Sequence, residues 1–138
     1  MPTVLVIDDE TTILENIKFN LEMENYDVIT ASNGEDGLNI FKEKINVIDV
    51  VITDMRMPKL TGIDVLREIK KLMPEMGVLI LTGHGDIENA IQTMKEGAFE
   101  YLKKPLNVDQ LSIIISKAIE KKNLLLENTK IRKKLLDQ

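Results

Sequence analysis

Cysteine is missing from all 138 residues, which excludes disulfides and thiolate-bound metals and fits a reducing compartment. No apolar run approaches the ~20 residues that cross a bilayer. The opening Met1-Pro2-Thr3-Val4 has no basic stretch leading into an apolar one, so no secretory signal is visible. A cytoplasmic protein without a membrane span is the reading. Glycine and proline are absent from Asn107 to Leu136, so nothing there interrupts a run of mostly good helix formers.

What is present is an ordinary globular composition, 43% apolar, 30% charged and 4% aromatic, in a chain the length of one domain. The net charge of −5 is uneven. Residues 117–138 hold seven Lys/Arg against three Asp/Glu, a local +4 that leaves −9 on residues 1–116. An acidic body argues against binding the phosphate backbone of nucleic acid, and the basic tail reads as a solvated helix face.

Short apolar runs alternate with longer amphipathic segments five times. The strand candidates are Thr3–Asp8, Tyr26–Ala31, Asp49–Thr53, Val78–Thr82 and Phe99–Leu102. Runs such as Val78-Leu79-Ile80-Leu81 are apolar on both faces, as suits parallel strands covered on each side by helices. Ile13, Ile17 and Leu21 form one helical stripe, and Val65, Leu66, Ile69 and Leu72 another. Thr12 with Glu15 and Thr61 with Asp64 have capping-box spacing, Asn33, Asp86 and Asn107 are N-cap types, and Gly97 suits a helix C-terminus. The fold class is α/β, a doubly wound five-stranded parallel sheet of (βα)5 form, with right-handed crossovers assumed. A last helix from Asn107 to about Leu136 would outrun a compact body. In it Leu124, Asn128, Ile131 and Leu135 keep the spacing of a coiled-coil seam, although Lys117 and Lys121 occupy the positions upstream. An amphipathic helix ending in solvent fits the same residues.

The chemistry lies at the strand ends. Asp8 and Asp9 close the first apolar run and Asp54 closes the third. In open α/β sheets this rim binds ligands. Two like charges ~4 Å apart repel by about 4 kcal/mol at an effective dielectric of 20, so a positive group is expected among the three. Mg²⁺, which takes hard oxygen ligands, is the natural candidate. Thr82 closes strand four, and Lys104 follows strand five directly before Pro105.

This set resembles the receiver domain of two-component response regulators over residues 3 to about 120. The motifs occur in order: Asp8-Asp9-Glu10, Asp54-Met55-Arg56-Met57-Pro58, Thr82-Gly83 and Lys103-Lys104-Pro105. The resemblance implies a flavodoxin-like sheet in the order 2-1-3-4-5. It makes Asp54 the phosphoacceptor, attacking a phosphohistidine on a sensor histidine kinase. Asp9, Asp54 and the Arg56 backbone carbonyl would hold Mg²⁺, with Asp8 acting directly or through water. Lys104 would pair with phosphoryl oxygens, Thr82 would hydrogen-bond one of them, and Tyr101 would be the aromatic switch. The Lys104–Pro105 bond matches one that is cis in the family. Arg56 and His84 occupy variable positions that could set phosphate lifetime. His84, the one histidine, has no kinase-like surroundings and is not read as a phosphodonor.

The implied function is a phosphorylation-controlled signalling switch, not a conventional enzyme, whose helix 4–strand 5–helix 5 surface changes to control an output. Residues 1–120 form the receiver and 121–138 extend helix 5 as a linker or short coiled coil. A homodimer through that helix or the helix 4–strand 5–helix 5 face is expected. The run Leu81-Thr82-Gly83-His84-Gly85-Asp86, followed by Ala90, Met94, Lys95, Gly97 and Ala98, resembles receivers of nitrogen-regulation-type transcriptional activators, and Leu125-Leu126-Glu127-Asn128 resembles their linker. No Walker motif or helix-turn-helix appears, so neither ATPase nor DNA-binding activity is assigned.

Two other functions share parts of this pattern. A Mg²⁺-dependent aspartyl phosphatase of the haloacid-dehalogenase type needs a second Asp two residues after its nucleophile, where Arg56 stands. A flavodoxin-like flavin or nucleotide binder needs a Gly- or hydroxyl-rich phosphate loop, where Asp8-Asp9-Glu10 stands.

Overall fold

The structure, a computed structural model, describes residues 1–83 and 85–137, and of Ile87 the backbone alone. Five strands, β1 (Thr3–Ile7), β2 (Asp27–Ala31), β3 (Val50–Asp54), β4 (Gly77–Thr82) and β5 (Glu100–Lys103), alternate with five helices. The helices are α1 (Thr11–Met23), α2 (Gly34–Glu43), α3 (Gly62–Leu72), α4 (Ile87–Lys95) and α5 (Val108–Leu136). All strand pairings are parallel and the order is β2-β1-β3-β4-β5. The expected strands lie within one residue of those observed.

Alternation along each strand sends side chains to two cores. Leu5, Ile7, Val51, Val78 and Ile80 pack with Phe41 of α2 and with Leu66 and Ile69 of α3 on one face. Val4, Val6, Val50, Ile52, Leu79 and Leu81 meet Leu14, Ile17 and Leu21 of α1 and Leu111, Ile115 and Ala118 of α5 on the other. The buried carboxylates Asp8 and Asp54 therefore sit where strands end. β1 lies between β2 and β3, so the chain direction across the sheet reverses between β1 and β3, and their carboxyl ends are adjacent.

Capping partly follows the sequence. Thr61 and Asp64 form a reciprocal capping box on α3, Asn33 accepts from the Asp36 amide at 2.8 Å, and Asn107 accepts from Gln110 at 3.2 Å. Gly97 follows α4 with φ 103°, a conformation that favours glycine. Two expected caps are absent. Asp8 Oδ1 accepts from the Glu10 amide at 2.9 Å, and α1 starts at Thr11 with Glu10 in the cap position, so Thr12 already lies inside the helix. Asp86 precedes α4 but its carboxylate does not bond the helix amides. Leu72, expected in the α3 stripe, is 43% exposed. The helix ends there, and Met73, in an extended conformation, packs on the core instead.

α5 carries the one ionisable side chain that is buried in a helix among the described residues. Lys122 is 7% exposed, and its ammonium donates to the Ile48 carbonyl at 3.2 Å and lies 3.6 Å from Asp49 Oδ1. Asp49 Oδ2 in turn accepts from the Thr3 amide at 2.7 Å. This chain of contacts ties α5 to the amino ends of β1 and β3, and from Asn123 to Leu136 the helix side chains are exposed apart from half-buried Leu126. Lys122→Ala removes the donor from the Ile48 carbonyl and should lower unfolding free energy by about 1–3 kcal/mol in urea titrations, the cost of a buried group left unpaired.

Candidate functional site

Asp8 follows β1 directly and is fully buried, Asp54 is the last residue of β3 and 6% exposed, and Asp9 is exposed. One carboxylate oxygen from each lies within 4.8 Å of the others. Lys104, just past β5, has its ammonium 3.1 Å from Asp8 Oδ2 and 3.1 Å from Asp54 Oδ1. The expected positive group is thus partly supplied by the chain itself. The Lys104–Pro105 bond is cis, as the resemblance implies.

Electrostatics at this rim follow from burial. Asp54 is pushed up to about 6, first by burial and then by the Asp8 charge, with Lys104 acting in the opposite direction. Asp8 is raised as well, mainly by burial. Burial works against the Lys104 ammonium, but its hydrogen bonds and charge attraction to Asp54 and Asp8 prevail and raise its pKa. One lysine does not fully compensate three carboxylates. Asp8 Oδ2 is buried without a hydrogen bond of good geometry, its neighbour being the Lys104 ammonium. Converging carboxylate oxygens with one buried oxygen left over suit a hard divalent cation. Asp8, Asp9 and Asp54 could hold it.

The other expected residues stand close by in different postures. Thr82 is buried, and its hydroxyl donates to the Leu102 carbonyl at 3.4 Å rather than to Asp54. Its carbonyl accepts from the Lys104 amide at 2.8 Å. Tyr101 pairs with Ile80 across the β4–β5 ladder and packs, half-buried, on the core that α2 and α3 cover. The Arg56 side chain leaves the acidic cluster and forms an ion pair with Asp86. His84 lies outside the described residues.

Two participants were missed in the sequence. Glu10 reaches over the site, with Oε1 3.7 Å from the Lys104 ammonium; its place in the acidic triplet was the available signal. Gly62 opens α3 beneath Asp54. A Cβ there would stand 2.4 Å from the Asp54 carbonyl oxygen and 2.8 Å from the Met55 Cα, so only glycine lets α3 approach. The Gly62 amide donates to the Met55 carbonyl at 2.9 Å, and buried Met55 and Met57 anchor the intervening loop. Spacing alone does not mark such a contact.

Residues 4–116 match the response regulator receiver domain. The chain is a member of that family. An NtrX-like response regulator of Rickettsia conorii is 36% identical over 137 residues, covering 98% of this chain and 28% of that protein. The transcriptional regulatory protein GlrR of Escherichia coli K12 is 38% identical over 118 residues, 85% of this chain and 26% of its own length. The receiver spans less than a third of these curated relatives. A crystal structure of a response regulator receiver domain protein from Clostridium thermocellum has a TM-score of 0.88 at 62% identity, covering 91% of this chain and 99% of that one. NtrX from Brucella abortus also has a TM-score of 0.88, at 30% identity over 95% of this chain and 30% of its own. The flavodoxin-like order expected from the sequence is the order observed. No helix among the described residues is long and apolar enough to cross a membrane.

The raised Asp54 pKa makes a thermodynamic prediction for the receiver without divalent cations. The folded chain retains a proton that the unfolded chain releases at its ordinary value of 3.8. The contribution of Asp54 to stability is therefore greatest below that value and falls as pH rises through about 6. The loss should be on the order of 3 kcal/mol at most, and Asp54→Asn should reduce it. Urea unfolding in chelator on both sides of this window checks the sign.

Proposed function

We propose that the receiver is a phosphorylation-controlled switch in which Asp54 takes a phosphoryl group from a phosphohistidine of a sensor histidine kinase. The observation that carries this reading is the single ammonium of Lys104 lying 3.1 Å from both Asp8 and Asp54. An Asp54 oxygen attacks phosphorus, the P–N bond to the donor breaks, and its electron pair stays on the imidazole. An acyl phosphate results. Carboxylates are competent nucleophiles for such a transfer, and the protein contributes mainly position and charge neutralisation. Asp9, Asp54 and the Arg56 carbonyl would hold Mg²⁺, with Asp8 bound directly or through water. When bound, the ion would neutralise phosphoryl oxygens during transfer. Lys104 would pair with the same oxygens. A groove beside Lys104, lined by Ile13, Asn16, Ile17, Pro105 and Leu106, offers a partner access to this edge.

Phosphorylation replaces one carboxylate charge with about −1.5 to −2. Three carboxylates balance Lys104 plus a divalent ion, so the modified site carries close to one extra negative charge. The Thr82 hydroxyl can leave the Leu102 carbonyl for a phosphoryl oxygen, and Tyr101 can follow the space it vacates. The surface of α4, β5 and α5 would change with them. Relatives such as GlrR are transcriptional regulators, which favours transcriptional output from a longer protein. The receiver itself would not contact nucleic acid, given the acidic body.

An aspartyl phosphatase is less well supported, because the position for its acid/base is Arg56, whose side chain is engaged by Asp86. A flavin or nucleotide binder is disfavoured by three carboxylates converging where phosphate would lie.

Treatment with Mg²⁺ and a small phosphodonor should give a hydroxylamine-labile phosphate on Asp54, localised by mass spectrometry and absent from Asp54→Ala. Equal labelling of that variant would refute the assignment. Leu124, Ile131 and Leu135 are 55%, 50% and 66% exposed along one stripe with Asn128, so a second copy is the proposed partner of the α5 extension. Sedimentation should detect a concentration-dependent dimer, weakened by Ile131→Lys. A monomer that persists at all concentrations and after phosphorylation counts against it.

A further inference from the structure

Among its described side chains, α4 buries only small ones against the body. Ala90 and Thr93 are buried, while Glu88, Asn89, Ile91, Gln92, Met94 and Lys95 are exposed. The Thr93 hydroxyl donates within the helix, to the Ala90 carbonyl at 2.6 Å. Apolar burial by these two small groups is slight.

Both ends of α4 are instead fastened by charge. Asp86, the residue before the helix, is buried and paired with the Arg56 guanidinium. Glu96, the residue after it, accepts on Oε1 from Arg67 Nε at 2.9 Å and Nη2 at 2.7 Å. Both arginines come from the segment that follows β3. Arg56 lies on the loop two residues beyond Asp54, whereas Arg67 stands on α3 next to buried Leu66. Neither pair belongs to the acidic cluster, and neither caps α4.

The bonding pattern makes these fastenings releasable. A full guanidinium–carboxylate fork engages two oxygens. Here both Arg67 groups converge on Oε1, and Glu96 Oε2 is buried without a hydrogen-bond partner among the described residues. The Arg56 side chain is 72% exposed against 4% for that of Asp86, so water competes for the guanidinium.

We propose that Arg56–Asp86 and Arg67–Glu96 are two clamps that set the position of α4 in the unphosphorylated receiver, and that the Arg56 clamp links the phosphoacceptor loop to the helix. The inference rests on the switch reading, since it names the contacts through which that switch is held off. Arg67 is based on a packed helix and Arg56 on the loop that carries Asp54. Release of α4 therefore starts at its amino end.

The test compares the parent with Glu96→Gln, Arg67→Gln and the reversed pair Arg67→Glu/Glu96→Arg, none of which touches the acidic cluster. Native-state amide exchange is read in α4, with residues 108–118 of α5 as the internal reference. Each single variant should raise α4 exchange about threefold, the scale of a partly exposed ion pair, and leave the reference unchanged. The reversed pair should return exchange toward the parent rate. Arg56→Gln should raise exchange mainly in the first turn of α4. Glu96→Gln is nearly isosteric and remains informative if an arginine variant fails to fold. Unchanged α4 exchange in the single variants, or a reversed pair no better than they are, overturns the clamps. Phosphodonor labelling of Asp54 is measured on the same samples. A parent that fails to label defeats the switch reading while exchange still judges the clamps. A parent that labels without altered α4 exchange in the variants defeats the clamps alone.

Discussion

One ammonium facing more carboxylate than it can neutralise is the constraint on which this molecule depends. Asp8 and Asp54 are buried at the ends of adjacent strands, and burial raises both pKa values while Lys104 opposes the shift. Such an arrangement survives only in a body stable enough to absorb the repulsion. The sheet supplies this, with β1, β3 and β4 buried along their whole length. Because those strands are apolar on both faces, the transition to charge occurs abruptly at their carboxyl ends. The site is sharp because the core is uninterrupted.

Most of the site was legible in the sequence for the same reason. Apolar runs fixed where Asp8, Asp54 and Thr82 emerge, and parallel pairing brings those ends together once the order is known. The Thr61 and Asn33 caps were legible because their bonds span three residues and depend on little else. What escaped was decided by contacts between distant segments. Asp86 has the chemistry of a cap, yet Arg56 takes its carboxylate across a gap of thirty residues. Gly62 looks like any loop glycine until α3 is seen against the Asp54 carbonyl. Lys122 reads as part of a basic tail, but the amino ends of β1 and β3 offer its ammonium a carbonyl and a carboxylate. Leu72 follows the stripe and still falls outside, because the stripe carries no information about where the supporting core ends.

Lys122 also divides α5 into two functional lengths. Upstream, Leu111, Ile115 and Ala118 pack on the sheet, and Gly77 of β4 accommodates Ala118 at close range. Downstream the helix is solvated. A buried, paired lysine at the junction resists the tilt that a purely apolar contact would permit, because its ammonium must stay near Ile48 and Asp49. The direction in which the extension leaves the body is thus set at the amino edge of the sheet, opposite the acidic rim. Any influence of the rim on the extension must then pass along the strands or through the packed half of α5.

Magnitudes favour the Thr82 hydroxyl as the first element to respond if Asp54 carries a phosphoryl group. Its present bond to the Leu102 carbonyl is 3.4 Å long, at the weak end for a neutral pair, and neutral hydrogen bonds contribute about 0.5–1.5 kcal/mol. A bond to a charged phosphoryl oxygen contributes about 1.5–3 kcal/mol. The exchange is therefore downhill by roughly 1–2 kcal/mol, or about tenfold in population. Losing the Thr82 hydroxyl leaves the Leu102 carbonyl without that donor beside Tyr101, on the strand whose neighbour α4 is flanked by the two proposed clamps. A tenfold bias acting on a helix flanked by two ion pairs whose arginines are exposed is of the right size to move it, whereas the same bias could not displace α3 or the packed half of α5.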